Sequence, residues 1–394
     1  RSRPSRAGAH RPSMTKCFDT ASQRYLTWLA DQALPLFAGP GLDPLGGVFE
    51  ALSAEGQPEP GAPKRLRVQA RQAFAFARAE ALGLLNEGKG ASDHAWAFLL
   101  DHGLQPEEQG GQRSFVHVLH ADGSVMDPAR DFYDHAFVLL AAAERGLRYG
   151  DPAADETAAH VWKFLDRLSH PAGGYRETLE GAGPRRQNPH MHLLEASLLC
   201  QTWQPTARSV ADIKALSGLF DELFWDAERG GLHECFSDDW QVDAAAGHII
   251  EPGHMTEWVW LLHQAQAASA GKLQTLLLSA QRYGLHRDAF ILANQHDLST
   301  GETGTRCRLW PQTDHIRALV TLAEVTGDER WLEQAAQGLE ALHRLFIEPA
   351  APGCFHDEVD RTGAPLSIHV PASIIYHHIT LADALLRFQQ PDLP

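Results

Sequence analysis

QNPHMHLLEA, residues 187–196, decides how this chain is read. The stretch has the length and composition of an amphipathic helix, so one face should be apolar. Instead Asn188, His192 and Glu195 fall at i, i+4 and i+7, where a helix turns toward its core. An amide, an imidazole and a carboxylate sit on an inner stripe only if that stripe borders something polar. The spacing therefore predicts a helix over 188–203 whose inner side lines a cavity.

Working outward, apolar periodicity predicts helices over 21–37, 64–85, 132–149, 154–169, 209–225, 255–270, 309–326, 328–346 and 372–388 as well, with weaker patterns over 90–103 and 271–292. Short strand-like runs such as SFVHVL (114–119) lie between them. The polar exceptions recur: Arg71, Tyr133, His192, His254, Asp314 and His377 are 62, 59, 62, 60 and 63 residues apart. Glycine doublets at Gly46-Gly47, Gly110-Gly111, Gly173-Gly174 and Gly230-Gly231 keep nearly the same period, Gly353 continues it, and the fifth repeat lacks a doublet. Doubled glycines suit tight turns that need positive φ. A repeat of this length holding two helices is a hairpin that cannot bury its apolar face alone. Six such hairpins form either an open solenoid or a ring, and polar groups on every second helix favour the ring. The expected fold is all-α, a single-domain (α/α)6 barrel over 14–394 with short β-hairpins in its loops.

Composition narrows the partners. The chain has 394 residues, 44% hydrophobic and 21% charged, and a formal charge of -16. That balance disfavours nucleic acid and anionic membrane, which need a positive surface. Five scattered cysteines without CxxC spacing read as reduced thiols of a cytoplasmic protein. Residues 1–13 carry four arginines and no apolar core, so they read as a disordered extension or an expression remnant ahead of Met14 rather than a secretory signal.

Two further stretches carry chemistry. EPGHMTEWVWLL (251–262) places His254 and Glu257 at i and i+3 near a helix start. VPASIIYHHITLADALL (370–386) interrupts an apolar run with Tyr376, His377 and His378. Adjacent histidines point about 100° apart on a helix, so one faces the cavity. His377 is on the register; His378 reads as packing. RVQARQ supplies Arg71, DFYDHAF supplies Tyr133, and RLWPQTD supplies Trp310, Gln312 and Asp314. Each has a plainer reading alone: a capping histidine, a packing histidine, a solvated arginine. Their shared register is what makes a site.

His190 and His192, two residues apart, point to opposite sides of a helix and cannot chelate together, and no third ligand follows His192 and Glu195. No metal is expected. Neither GxxxxGK[ST], GxGxxG after a strand nor GxSxG occurs, so no nucleotide cofactor or serine nucleophile is implied. Glycosidic cleavage wants two opposed carboxylates, and only Glu257 and Asp314 are offered. A pair of histidines suits reversible proton transfer beside a carbonyl at neutral pH.

RQNPHMHLLEA, EPGHMTEW, RLWPQT and YHH together resemble the N-acylglucosamine 2-epimerase superfamily, over residues 20–388. That group includes acylglucosamine and cellobiose 2-epimerases, mannose isomerases and sulfoquinovose-type aldose–ketose isomerases. The resemblance implies an (α/α)6 barrel without a required catalytic metal. It makes His254 and His377 the acid/base pair and Arg71, Tyr133, Asn188, His192, Glu257 and Trp310 substrate contacts. Asp314 stands where the family more often has glutamate. The VPASIIYHHI segment leans toward the mannose isomerase branch, and Arg65 and Arg67 do not form a clear phosphate clamp, which favours an unphosphorylated sugar. The expected reaction interconverts D-mannose and D-fructose through a cis-enediolate, without a cofactor, on a small monosaccharide. A sugar 2-epimerase is the nearest alternative. A glycoside hydrolase or lyase and a sugar-binding helical scaffold are more distant. The oligomeric state is open, with a homodimer allowed.

Overall fold

A computed structural model describes residues 16–107, 111–181 and 183–390. The expected extension over 1–13 and the first glycine of the second doublet, Gly110, lie outside the described residues. The helices are α1 (Lys16–Trp28), α2 (Leu34–Ala38), α3 (Leu66–Ala81), α4 (Gly88–Phe98), α5 (Phe132–Tyr149), α6 (Pro152–Leu168), α7 (Gln187–Trp203), α8 (Ala207–Leu219), α9 (Pro252–Gln264), α10 (Ala270–Gly284), α11 (Leu309–Thr326), α12 (Arg330–Leu342) and α13 (Ile375–Gln389).

α3, α5, α7, α9, α11 and α13 each pack on the next, and α13 returns to pack on α3. That contact closes the ring and excludes the open solenoid. α4, α6, α8, α10 and α12 form the outer layer, each against the inner helix that precedes it. The sixth outer helix comes from the other end of the chain. α1 packs beside α12, with Phe18 edge-on to Phe388 and the Tyr25 hydroxyl 2.8 Å from Nδ1 of His378 on α13. The first and last helices thus make one hairpin between them.

Short antiparallel strands form a belt at one end of the ring. The segment before an inner helix pairs with a loop of a neighbouring repeat: Lys64–Arg65 with Val118–Leu119, Arg185–Arg186 with Cys235–Phe236, Ile249–Ile250 with His296–Asp297, and Arg306–Arg308 with Glu358–Asp360. His369–Pro371 pairs with Ala51–Ser53, so the belt also joins last repeat to first.

Most expected helices stand where periodicity put them, and the differences have local causes. The 255–270 helix ends at Gln264 because Gln266 turns left-handed (φ 53) and Ser269 caps a new helix through the Lys272 amide. The 271–292 helix ends at Gly284 because Leu285–His286 folds back on Ile291–Leu292 as a hairpin. The 64–85 helix starts late because Lys64 and Arg65 belong to the belt. Four outer helices also run into five-residue π turns, at Leu29–Ala33, Leu99–Gly103, Phe220–Phe224 and His343–Ile347. These π turns leave no periodicity signal.

The glycine register marks turns, and polar side chains of the inner helices clamp them. Gly47 has φ 72, and a Cβ there would lie 2.5 Å from Oε1 of Gln69. That oxygen accepts the next amide, of Val48, at 2.8 Å. Nε2 of His190 accepts the Tyr175 amide at 3.0 Å, and Oε1 of Gln312 accepts the Leu292 amide at 2.7 Å, in the same way. The fifth repeat keeps the turn without the doublet: Phe290 takes the left-handed conformation, φ 57. No helix among the described residues is long and apolar enough to cross a membrane, and all five cysteines are thiols.

Closure through the α1–α13 hairpin yields a direct expectation. Tyr25→Phe leaves the fully buried His378 ring without its hydroxyl partner, and an unsatisfied buried polar group costs about 1–3 kcal/mol. Urea unfolding should show a loss of that size with turnover unchanged, since neither side chain reaches the cavity.

Candidate active site

All inner helices run in the same direction, so their N-terminal ends gather at the belt. Each contributes its register residue within its first two turns: Arg71, Tyr133, His192, His254, Asp314 and His377. A cavity of about 400 Å³ lies there, a suitable size for one small polar ligand. Of the nine residues singled out from sequence, Arg71, Tyr133, Asn188, His192, His254, Glu257, Trp310 and His377 line it. Asp314 does not; it sits behind His377.

His254 and His377 both pack against the indole of Trp310. The ring centroid of His254 is 5.0 Å from that of Trp310, and the centroid of His377 is 5.5 Å from it, both tilted by about 30°. The imidazoles are therefore no farther apart than those two legs laid end to end, close enough to bracket one sugar carbon skeleton. Gly253 makes room for the indole, because a Cβ there would come within 2.7 Å of Cη2 of Trp310.

The two histidines have opposite surroundings. Nδ1 of His377 lies 3.0 Å from Oδ2 of Asp314. A carboxylate at Nδ1 fixes the proton there and leaves Nε2 as a bare lone pair. Burial holds His377 below the ordinary imidazole range, against the pull of Asp314. His254 has Nδ1 3.0 Å from Oε2 of Glu234 and 3.7 Å from Oε2 of Glu251. Burial alone would discharge this ring, but the two carboxylates outweigh it and push His254 up to about 10. At neutral pH this pair thus consists of one neutral imidazole and one imidazolium, an arrangement able to take a proton at one point and give one at another.

QNPHMHLLEA, residues 187–196, forms the first part of α7. Asn188 and His192 face the cavity, and Glu195 lies beneath them. Nδ1 of His192 is 3.2 Å from Oε2 of Glu195, which also accepts the Tyr376 hydroxyl. Burial lowers His192 to about 4, while Glu195 stays ionised, so His192 is neutral with Nε2 as an acceptor. Nη2 of Arg71 donates to the Tyr133 hydroxyl at 2.9 Å, and the guanidinium lies over the Phe137 ring at 4.1 Å. Oδ1 of Asn188 and Nε of Arg71 are buried without a hydrogen-bond partner among the described residues. Such orphans in a cavity wall are places for a ligand. His190 points away and clamps backbone, as opposite-side geometry requires.

The cavity floor is a buried ion network. Nη2 of Arg317, one turn after Asp314, lies 2.5 Å from Oδ1 of Asp314 and 3.9 Å from Oε1 of Glu257. Glu257, Asp314 and His377 bring ligand atoms within 4.8 Å of one another, as do His117, Asp131 and Asp134. Each group already has a guanidinium: Arg317 serves the first, and Arg67 lies 3.1 Å from Asp134 in the second. The donor sets are those of ion pairs, with a fixed organic cation where a metal would compete.

Sequence reading missed Glu234, Glu251 and Arg317. Glu234 sits in a loop outside the sixty-residue register, 20 residues before His254, and nothing local marks it. Arg317 could have been found, since i+3 from Asp314 places it on the same face.

The N-acylglucosamine 2-epimerase (GlcNAc 2-epimerase) family profile matches residues 47–381. The chain is 32% identical over 372 residues to the mannose-6-phosphate isomerase of Rhizobium meliloti (strain 1021), covering 89% of this chain and 92% of that one. It is 28% identical over 308 residues to the D-mannose isomerase of Thermobifida fusca, covering 68% and 72%. Its fold is similar to that of the cellobiose 2-epimerase of Spirochaeta thermophila DSM 6192, with a TM-score of 0.83 at 22% identity over 96% and 98% of the two chains. With a barrel, a cavity and a profile match that coincide, the chain belongs to the N-acylglucosamine 2-epimerase family and is an enzyme acting on sugars.

Proposed function

We propose that this protein is an aldose–ketose isomerase interconverting D-mannose and D-fructose by proton transfer through a cis-enediolate. The observation that carries the reading is the pair of histidines packed on Trp310, one neutral with a bare Nε2 and one charged. His254, as imidazolium, assists ring opening. His377 takes the C2 proton through Nε2 and returns a proton to C1, while O2 gives up its hydroxyl proton to become the ketone oxygen and O1 gains one. A positioned acid or base of this kind contributes roughly 10²- to 10⁴-fold. Arg71, with an unpartnered Nε–H, stabilises the enediolate oxygens. His192 presents an acceptor and so binds a sugar hydroxyl. Asn188 offers its orphaned Oδ1 to another hydroxyl. The positive ends of six inner helices favour the developing negative charge.

Charge balance supports a neutral hexose over a sugar phosphate. Among the cavity arginines, Arg65 is ion-paired with Glu50 and Arg67 with Asp134. These two rim cations already have their anions. The relative in Rhizobium meliloti carries a phosphosugar in its name, so mannose and mannose 6-phosphate are the comparison to run, and a higher kcat/KM is expected for mannose.

A 2-epimerase is the second reading, supported by the same two imidazoles, which could serve opposite faces of C2. Incubating mannose in D2O and following products by NMR separates the two. The expected outcome is fructose labelled at C1, and no exchange with His377→Asn. Glucose as the first product supports epimerisation; a folded His377→Asn that still forms fructose at the wild-type rate removes His377 from the role of base.

The pH dependence has a definite sign. Activity needs His377 neutral and His254 charged. It should fall below the ordinary imidazole range as His377 gains a proton, and fall again toward about 10 as His254 loses one. Glu234→Gln removes a carboxylate that holds His254 up, so the alkaline limb of kcat/KM should move to lower pH while the acid limb stays. An unmoved alkaline limb would remove His254 from the role of acid.

A further inference from the structure

We propose that Glu257 carries its proton at neutral pH and meets the sugar as a neutral hydrogen-bond donor, because one buried guanidinium faces two carboxyls and Asp314 takes it. The role toward the sugar rests on the isomerase reading; the protonation state does not.

Glu257 and Asp314 are 2% and 1% exposed, and Arg317 between them is 1% exposed. Two ionised carboxyls this close in a dry site cannot both be matched by a single positive charge. The contest is unequal. Asp314 has Arg317 at 2.5 Å on Oδ1 and Nδ1 of His377 at 3.0 Å on Oδ2. Glu257 has only the longer approach of Arg317, at 3.9 Å, and its carboxyl makes no hydrogen bond among the described residues. It opens into the cavity instead.

The groups facing Glu257 from each packed element point the same way. On its own helix, the His254 charge is already answered by Glu234 and Glu251. From α7 comes another anion, Glu195, and from α13 come the Tyr376 hydroxyl and neutral His377. Burial and then the Asp314 charge push the Glu257 carboxyl well above the usual range, while Arg317 and His377 hold Asp314 below it. A protonated carboxyl has one O–H to give. In this wall it stands beside an acceptor, His192, and a base, His377.

The test needs no ligand for its first arm. Infrared difference spectra of the resting enzyme at pH 7, wild type against Glu257→Gln, should contain a protonated-carboxyl C=O stretch that the variant lacks. In the second arm, Glu257→Gln keeps a neutral donor and should lower kcat/KM by about tenfold or less, the scale of one altered neutral hydrogen bond. Asp314→Asn loses the anion behind His377 and should lower it by roughly 10²- to 10⁴-fold. Absence of the band overturns the proposal. A band accompanied by abolished turnover in a folded Glu257→Gln overturns the donor role. If the wild type isomerises no hexose, the proposed function fails, and the infrared arm still decides the state of Glu257.

Discussion

The contact between α13 and α3 is what everything else depends on. The candidate groups lie on six different helices, spread over three hundred residues of chain, and no two neighbouring repeats hold both histidines. Only a closed ring brings His377 of the last repeat beside Arg71 of the first. Closure is secured twice: by α1, which supplies the outer partner that α13 lacks, and by the strand pairing of His369–Pro371 with Ala51–Ser53. Loop-closure entropy grows slowly with length, so joining such distant ends costs little more than joining near ones. The apolar surface buried at the seam then decides the outcome.

Within that ring, the same side chain is set to opposite tasks by what stands behind it. Both histidines are buried, and burial by itself would leave both neutral. Two carboxylates keep His254 charged. One carboxylate, itself committed to Arg317, orients His377 without charging it. Arg317 is therefore as much a part of the chemistry as the residues that line the cavity. Removing it alone would leave buried anions unmatched, a change that costs roughly 3–5 kcal/mol where it has been measured.

The fold was legible because a repeated hairpin writes its period twice, once in glycines and once in misplaced polar groups. Arg71, Tyr133, His192, His254 and His377 announced themselves as polar exceptions on apolar faces, which a single helix can reveal. Glu234 did not, because a loop carboxylate on a surface rich in acids has no pattern to violate. The π turns and the hairpin at Leu285–Leu292 were hidden for a related reason: their apolar residues satisfy helical spacing as well as the turn they adopt. Phe290 shows the limit from the other side, since its left-handed backbone occupies a place where glycine would have been the signal. Gln69, His190 and Gln312 show that a polar residue facing inward can also be structural, spent on a backbone amide rather than a ligand.

The central claim is that one hexose lies between His254 and His377. A crystal structure with a linear hexitol, an unreactive image of the ring-opened sugar, tests it most directly. The account predicts the C1–C2 unit in the cavity within about 3–3.5 Å of Nε2 of His377, with the far side facing His254 and oxygens on Arg71 and Asn188. A hexitol bound elsewhere, or held with its C1–C2 unit out of reach of both imidazoles, would contradict it.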